Sequence, residues 1–198
     1  GYPIVNIPLF GGYSGSAISS GKILGTVVGE RFAIPQLVTV VWERCGQDSE
    51  WTRLQSVMLA WPPDSLEISG DPDALLMLEK PDLELARLQA EVLAELFEEH
   101  GVQVHWARPA VVPPPNFIFM RDLVFMTPEG AILARPASPV RAAEARAASE
   151  SLAAAGIPII ATIHGEGIME GADCLWMRPN LVLVGVGHRT NASGLAQL

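Results

Sequence analysis

Cysteine is nearly absent from this 198-residue chain, which holds only Cys45 and Cys174. Two thiols cannot staple a disulfide scaffold, and their scarcity fits a reducing compartment such as the cytoplasm. Charge is sparse too, at 18% of residues, and it leans to one sign: 22 acidic side chains against 13 Lys and Arg give a net −9. A protein that grips a phosphate backbone needs a basic face, so nucleic acid is excluded as a general partner. No apolar run approaches the ~20 residues of a membrane helix. The first residues show no basic stretch followed by an apolar one, so neither a membrane nor a secretory signal is expected. An initiator methionine is missing as well, and a trimmed or partial chain is expected. What abounds is apolar: 49% of residues are hydrophobic, which promises a well-filled core and excludes a disordered tail.

Two regions differ in composition. Residues 1–50 read as a glycine-rich lead-in, with Gly11, Gly12, Gly15, Gly21, Gly25 and Gly29 scattered among Ser, Val and Ile. The stretch from Gly15 to Lys22 mimics a phosphate loop, but that loop needs four residues between its glycines and Ser or Thr after the Lys. Here five intervene and Ile23 follows. From 51 to 198 the pattern becomes regular. Gln55–Trp61 predicts a buried strand, stopped by Pro62-Pro63. Pro81–His100 predicts a helix with Pro81 in its first turn and an apolar stripe of Leu83, Leu85, Leu88, Val92, Leu93 and Leu96. Gly101 stops it, and Val102–Trp106 follows as a strand.

Two strands, Asp122–Met126 and Ala131–Arg135, flank the turn composition Thr127-Pro128-Glu129-Gly130. Ser138 caps a helix with Pro139 at its first position, running to Gly156, and Ile157–Ile163 is a strand. The hairpin then returns as Cys174–Met177 and Leu181–Val186 around Arg178-Pro179-Asn180. At a constant offset of 51 residues, Asp122 falls on Asp173, Phe125 on Trp176, Met126 on Met177 and Pro128 on Pro179. The pattern predicts an internal repeat of strand, strand, helix, strand, with the last copy cut short at Leu198.

Three polar clusters sit at the ends of apolar elements: Asn116 to Asp122, Glu170 to Asp173, and Gly185 to Asn191. Such loops are where binding groups are mounted. Their carboxylates can grip a cation, and their arginines can grip a carboxylate with two parallel bonds. On residue chemistry alone, turn glycines, caps and surface ion pairs account for the clusters equally well.

The three motifs in order, Asn116…Arg121-Asp122, Glu170-Gly171-Ala172-Asp173 and Gly185-x-Gly187-x-Arg189-Thr190-Asn191, resemble the guanidino-group-modifying superfamily. That superfamily includes arginine deiminase, dimethylarginine dimethylaminohydrolase and the amidinotransferases. The resemblance runs from about Glu50 to the end, and Ala172 departs from it, since a second glycine is usual there. It implies an α/β fold, here part of a five-bladed α/β propeller built from the repeating unit. It also implies a hydrolase or an amidinotransferase working through a covalent Cys–amidino intermediate, with no cofactor and no metal.

The resemblance implies that Asp122 and Glu170 hold a substrate guanidinium as catalytic residues. Arg141 and Arg189 would bind an amino-acid carboxylate, and Asn116 would hydrogen-bond the substrate's head. The substrate would be arginine or a related guanidino compound. The superfamily's nucleophilic Cys and acid/base His fall after the third motif, beyond Leu198. Cys174 lies among apolar strand residues and reads as a core thiol. His164 and His188 match neither role. A chain of this extent is expected to self-associate or to need a complementing C-terminal fragment. Alone it is expected to be inactive, as a non-catalytic member that at most binds a guanidino compound.

Overall fold

A computed structural model describes residues 46–198 and the backbone of one strand, β1 (Ile4–Pro8). The rest of the lead-in lies outside the described residues. Next come β2 (Ser56–Ala60), α1 (Leu83–Glu99) and β3 (Gln103–Ala107), a strand–helix–strand crossover whose two strands pair in parallel, Ser56 opposite Gln103. After a 3-10 turn at Pro115–Ile118 the chain forms α2 (Met120–Leu123), β4 (Val124–Thr127) and β5 (Gly130–Leu133). It then forms α3 (Glu144–Ala154) and β6 (Ile159–Thr162). The sheet order is β4-β5-β6, antiparallel and then parallel. A 3-10 turn at Gly171–Asp173 leads into β7 (Cys174–Arg178), β8 (Leu181–Gly185) and α4 (Ala192–Gln197). β1 lies antiparallel on β8, giving the order β1-β8-β7.

The second unit, β4-β5-α3-β6, is complete, and β7-β8-α4 repeats its beginning. Among the described residues the first unit shows two strands of three, because only β2 and β3 flank α1. The 51-residue offset holds at the hairpin turns, where Thr127 pairs with Gly130 and Arg178 with Leu181. It then slips by one. Phe125 pairs with Ile132, but Trp176 pairs with Val182, because an irregularity between Trp176 and Arg178 leaves Met177 out of the ladder. Phe125 and Trp176 still meet, stacked at 5.5 Å between ring centres and 16° between planes. The indole Nε1–H donates to the Met126 carbonyl at 2.9 Å.

Alternation along β4 and β5 feeds two cores, since successive side chains point to opposite faces. Val124, Ala131 and Leu133 pack with Phe117, Leu123, Ala148 and Leu152 on the α3 side. Phe125 and Ile132 pack with Met169, Cys174, Trp176, Val182 and Val184 on the other. Gly130 makes the turn possible: its φ is 139°, and a side chain there would come within 2.5 Å of the Pro158 carbonyl oxygen.

Two helices differ from the sequence expectation. Pro81 lies outside α1, and Asp82 is its cap, accepting from the Leu85 amide at 2.9 Å. The predicted apolar stripe is turned outward: Leu85, Leu88, Val92, Leu93 and Leu96 are 43–56% exposed. The helix meets its neighbours through Ala86, Ala90 and the buried Ala94, whose small side chains allow close approach, with Leu83 and Phe97 half-buried beside them. A groove of about 270 Å³ remains between α1 and β2, lined by Leu59, Ala60, Ala86, Ala90 and Leu93 among others. The second difference is at Ser138-Pro139, which caps a 3-10 turn (Pro139–Arg141) while α3 begins later, at Glu144.

Replacing Trp176 by Ala removes a buried ring, its stacking and its hydrogen bond, and is expected to cost about 3–5 kcal/mol in chemical denaturation. Leu88→Gln on the exposed side of α1 is expected to change stability by no more than about 0.5 kcal/mol. Ala94→Leu on its buried side is expected to cost about 1–3 kcal/mol.

Candidate functional site

Asp122 is set by the short helix α2. Its neighbour Arg121 points elsewhere, donating through Nη2 to the Cys174 carbonyl at 2.8 Å and to Glu50 Oε1 at 3.1 Å. The same Glu50 oxygen accepts from the Trp176 amide at 3.0 Å. Arg121 therefore ties α2 to β7, while Asp122 faces a cavity of about 450 Å³ lined also by Leu76, Asn116, Phe119, Arg141, Glu170 and Arg189.

Glu170 enters from the segment before β7. Gly171 is obligatory behind it, because a side chain there would run into the carbonyl oxygens of Val124 and Arg121. Ala172 is exposed, so its methyl group has room. Thr190 and Asn191 pin this segment. The buried Thr190 hydroxyl accepts from the Glu170 amide at 3.2 Å and donates to Asp173 Oδ2 at 2.6 Å. Asn191 Oδ1 caps α4 at the Gly194 amide and also accepts from the Ile168 amide. These bonds bring Arg189 opposite Glu170, with Nη1 3.3 Å from Oε2.

Arg141 comes from the 3-10 turn ahead of α3 and is only 6% exposed. Its Nη1 bonds Asp122 Oδ2 at 2.8 Å and stands 3.7 Å from Glu170 Oε1. Asn116 lies beside Arg141. Its carbonyl accepts from Arg141 Nη2 at 3.4 Å, while its side-chain amide donates to the Leu75 carbonyl at 2.7 Å. That amide N–H is therefore committed to the loop that carries Leu76 over the cavity. Leu76, at φ 61° and ψ 33°, is the one non-glycine residue in the left-handed region among the described residues.

All five residues expected from the sequence, Asn116, Asp122, Arg141, Glu170 and Arg189, thus line one cavity. The sequence expectation missed Glu144. It is fully buried, accepting from Arg141 Nε at 2.9 Å and from Nη2 at 2.8 Å. The available signal was an acidic residue three positions after Arg141 at the head of an alanine-rich helix.

The electrostatics follow from burial. Desolvation raises the Glu170 carboxyl above the usual range, the nearby Asp122 charge raises it further, and Arg141 and Arg189 oppose both. Desolvation likewise works against both charges of the Arg141–Glu144 pair. For Arg141, its bonds to Glu144 and Asp122 more than restore the charged form. Glu144, surrounded also by Asp122 and Glu170, is left above the usual carboxylate range. Cys174, buried beside Asp173, is pushed up to about 12. A thiol so held is protonated at neutral pH and is no nucleophile. Among the described residues no group of three or more His, Cys, Asp and Glu is placed to hold a metal ion. Within that same set, no helix is long and apolar enough to cross a membrane.

A sequence profile described as arginine deiminase matches residues 77–198. The chain belongs to the arginine deiminase family. A dimethylarginine dimethylaminohydrolase of Streptomyces coelicolor is 32% identical over 123 residues, covering 61% of this chain and 45% of that protein. This member of the family therefore spans about half the length of the curated relative it matches. Two solved structures share its mixed α/β fold. One is a dimethylarginine dimethylaminohydrolase from Pseudomonas aeruginosa in complex with citrulline, at 23% identity and a TM-score of 0.55 over 73% of this chain and 55% of that one. The other is an amidinotransferase of Microseira wollei, at 16% identity and a TM-score of 0.50 over 77% and 58%.

A raised carboxyl has a stability signature. Glu170 contributes fully below the ordinary carboxylate pKa, and that contribution is lost as pH climbs through its raised value. Glu170→Gln removes the titration. The melting temperature of the variant minus that of the parent is therefore expected to grow as pH rises from about 4, then to level off. A difference that stays constant across a pH series would contradict the burial of this carboxyl.

Proposed function

We propose that the chain carries the substrate-recognition part of an enzyme that hydrolyses a guanidino compound or transfers its amidino group. The observation that supports this reading is the convergence of two carboxylates, Asp122 and Glu170, and two guanidinium groups, Arg141 and Arg189, on one cavity. A planar cation with forked N–H groups suits carboxylates on two sides, and a carboxylate suits the arginines. Arginine carries both groups. Family membership and the dimethylarginine dimethylaminohydrolase and amidinotransferase relatives point the same way.

In this reading Asp122 and Glu170 grip the guanidinium and hold its carbon for attack. Arg141 and Arg189 fix the far end, and Phe119 walls the cavity beside the Arg141 guanidinium, 6.0 Å from its ring centre. The attack would come from a cysteine thiolate on the guanidinium carbon. The C–N bond breaks, the departing amine or ammonia takes a proton from a histidine, and water or an amine then resolves the covalent amidino intermediate and regenerates the thiolate. Neither that cysteine nor that histidine lies among the described residues of this cavity, and Cys174 cannot serve. The buried, protonated thiol of Cys174 supports a second reading, in which the chain by itself binds a guanidino compound without turning it over. The larger architecture we propose is a five-unit α/β propeller, supported by the repetition of β4-β5-α3 in β7-β8-α4.

Titration calorimetry of the 198-residue chain is expected to show weak arginine binding. Asp122→Asn should weaken it by about 1.5–3 kcal/mol, the worth of a hydrogen bond to a charged group. A parallel assay is expected to detect neither citrulline nor ornithine. Turnover would show that a nucleophile is present and that Cys174 must be reconsidered.

A further inference from the structure

Arg141 has five N–H donors, and four of them make hydrogen bonds: the one on Nε, one on Nη1 and both on Nη2. Nε and Nη2 face Glu144, at 2.9 and 2.8 Å from Oε2, and Nη2 also reaches the Asn116 carbonyl. Nη1 faces the cavity, bonded to Asp122 and near Glu170. The arginine is thus divided into an anchored edge and a working edge. The carboxylates on the working edge are the two that would grip a substrate guanidinium, so an incoming ligand competes with Arg141 for them. Once they change partners, Asp122 and Glu170 no longer hold Arg141, and Glu144 and the Asn116 carbonyl remain.

From this division we infer that Glu144 is a positioning residue for the ligand's carboxylate: it keeps Arg141 in register while Nη1 leaves Asp122 and turns to that carboxylate. The inference rests on the guanidino-compound reading above. Glu144 itself touches no ligand, being fully buried behind the arginine. Its place in the first turn of α3, where the helix dipole favours a negative charge, makes it a firm post. Burial of such a pair is costly and adds little to stability, whereas the fixed geometry of a bidentate grip orients the free edge of the arginine.

The test compares arginine with agmatine, which is arginine without its carboxylate, by titration calorimetry on the parent chain, Glu144→Gln and Glu144→Asp. The parent is expected to prefer arginine. Glu144→Gln should weaken arginine binding about tenfold or more, as for loss of a charge-assisted bond, and change agmatine binding less than about twofold. Glu144→Asp keeps the charge but shortens the reach, and should show the same selective loss to a smaller degree. Circular dichroism checks folding. If Glu144→Gln does not fold, Glu144→Asp decides by the same criterion. Equal losses for both ligands, unchanged arginine binding, or a parent that does not distinguish the two ligands would each overturn the role of Glu144. A parent that binds neither ligand would instead overturn the guanidino reading, and this inference with it.

Discussion

The buried guanidinium of Arg141 is the point at which separately folded segments meet. It bonds the 3-10 turn of Asn116, the α2 helix through Asp122 and the start of α3 through Glu144, and it lies within 4 Å of Glu170 ahead of β7. These segments span two repeating units, and among the described residues no strand ladder joins β4-β5-β6 to β7-β8. A backbone bridge between Arg135 and Met169 links them, and side chains add the rest: this ion cluster on the cavity side, Arg121 on the Cys174 carbonyl, and the Phe125–Trp176 stack within the second core. A fold built from modules that share few backbone bonds concentrates its polar energetics where the modules touch. The candidate site is located there.

Much of this was legible in the sequence because turn chemistry is local. Pro128-Glu129-Gly130 and Pro179-Asn180 mark hairpin tips by backbone restriction alone, and both hairpins stand where those residues put them. Four of the five cavity residues lie in the three motifs, whose glycine, threonine or asparagine shapes the loop, while Arg141 lies outside them and was reached only through the family resemblance. What escaped the sequence depends on packing between distant segments. The leucines of α1 have helical periodicity, and only the packing of the helix against β3 decides that the face of Ala86, Ala90 and Ala94 turns inward instead. Glu144 belongs to no motif, and it is buried only because Arg141 folds back over it. The slip at Met177 could not be read at all, since a bulge changes pairing without changing composition.

Within the third motif, labour is divided in a way spacing does not reveal. Only Arg189 reaches the cavity; Thr190 and Asn191 spend their side chains on the Glu170 segment and the α4 cap. The same holds for Arg121 and Asp122, adjacent in sequence and opposite in role. A short turn such as α2 separates neighbouring side chains by roughly a right angle. One residue can then brace the scaffold while the next faces the ligand.

The cavity carries its own countercharge, with consequences for how quickly a ligand arrives. Asp122, Glu144 and Glu170 stand against Arg141 and Arg189, so their charges nearly cancel despite the chain's overall −9. A bare pair of carboxylates would draw in any passing cation, at a rate falling steeply with ionic strength. A pocket already filled by an internal guanidinium offers no such pull. Lysine side chains, polyamines and inorganic cations gain little on approach, and in the reading proposed above selection falls to the step at which the internal cation is exchanged.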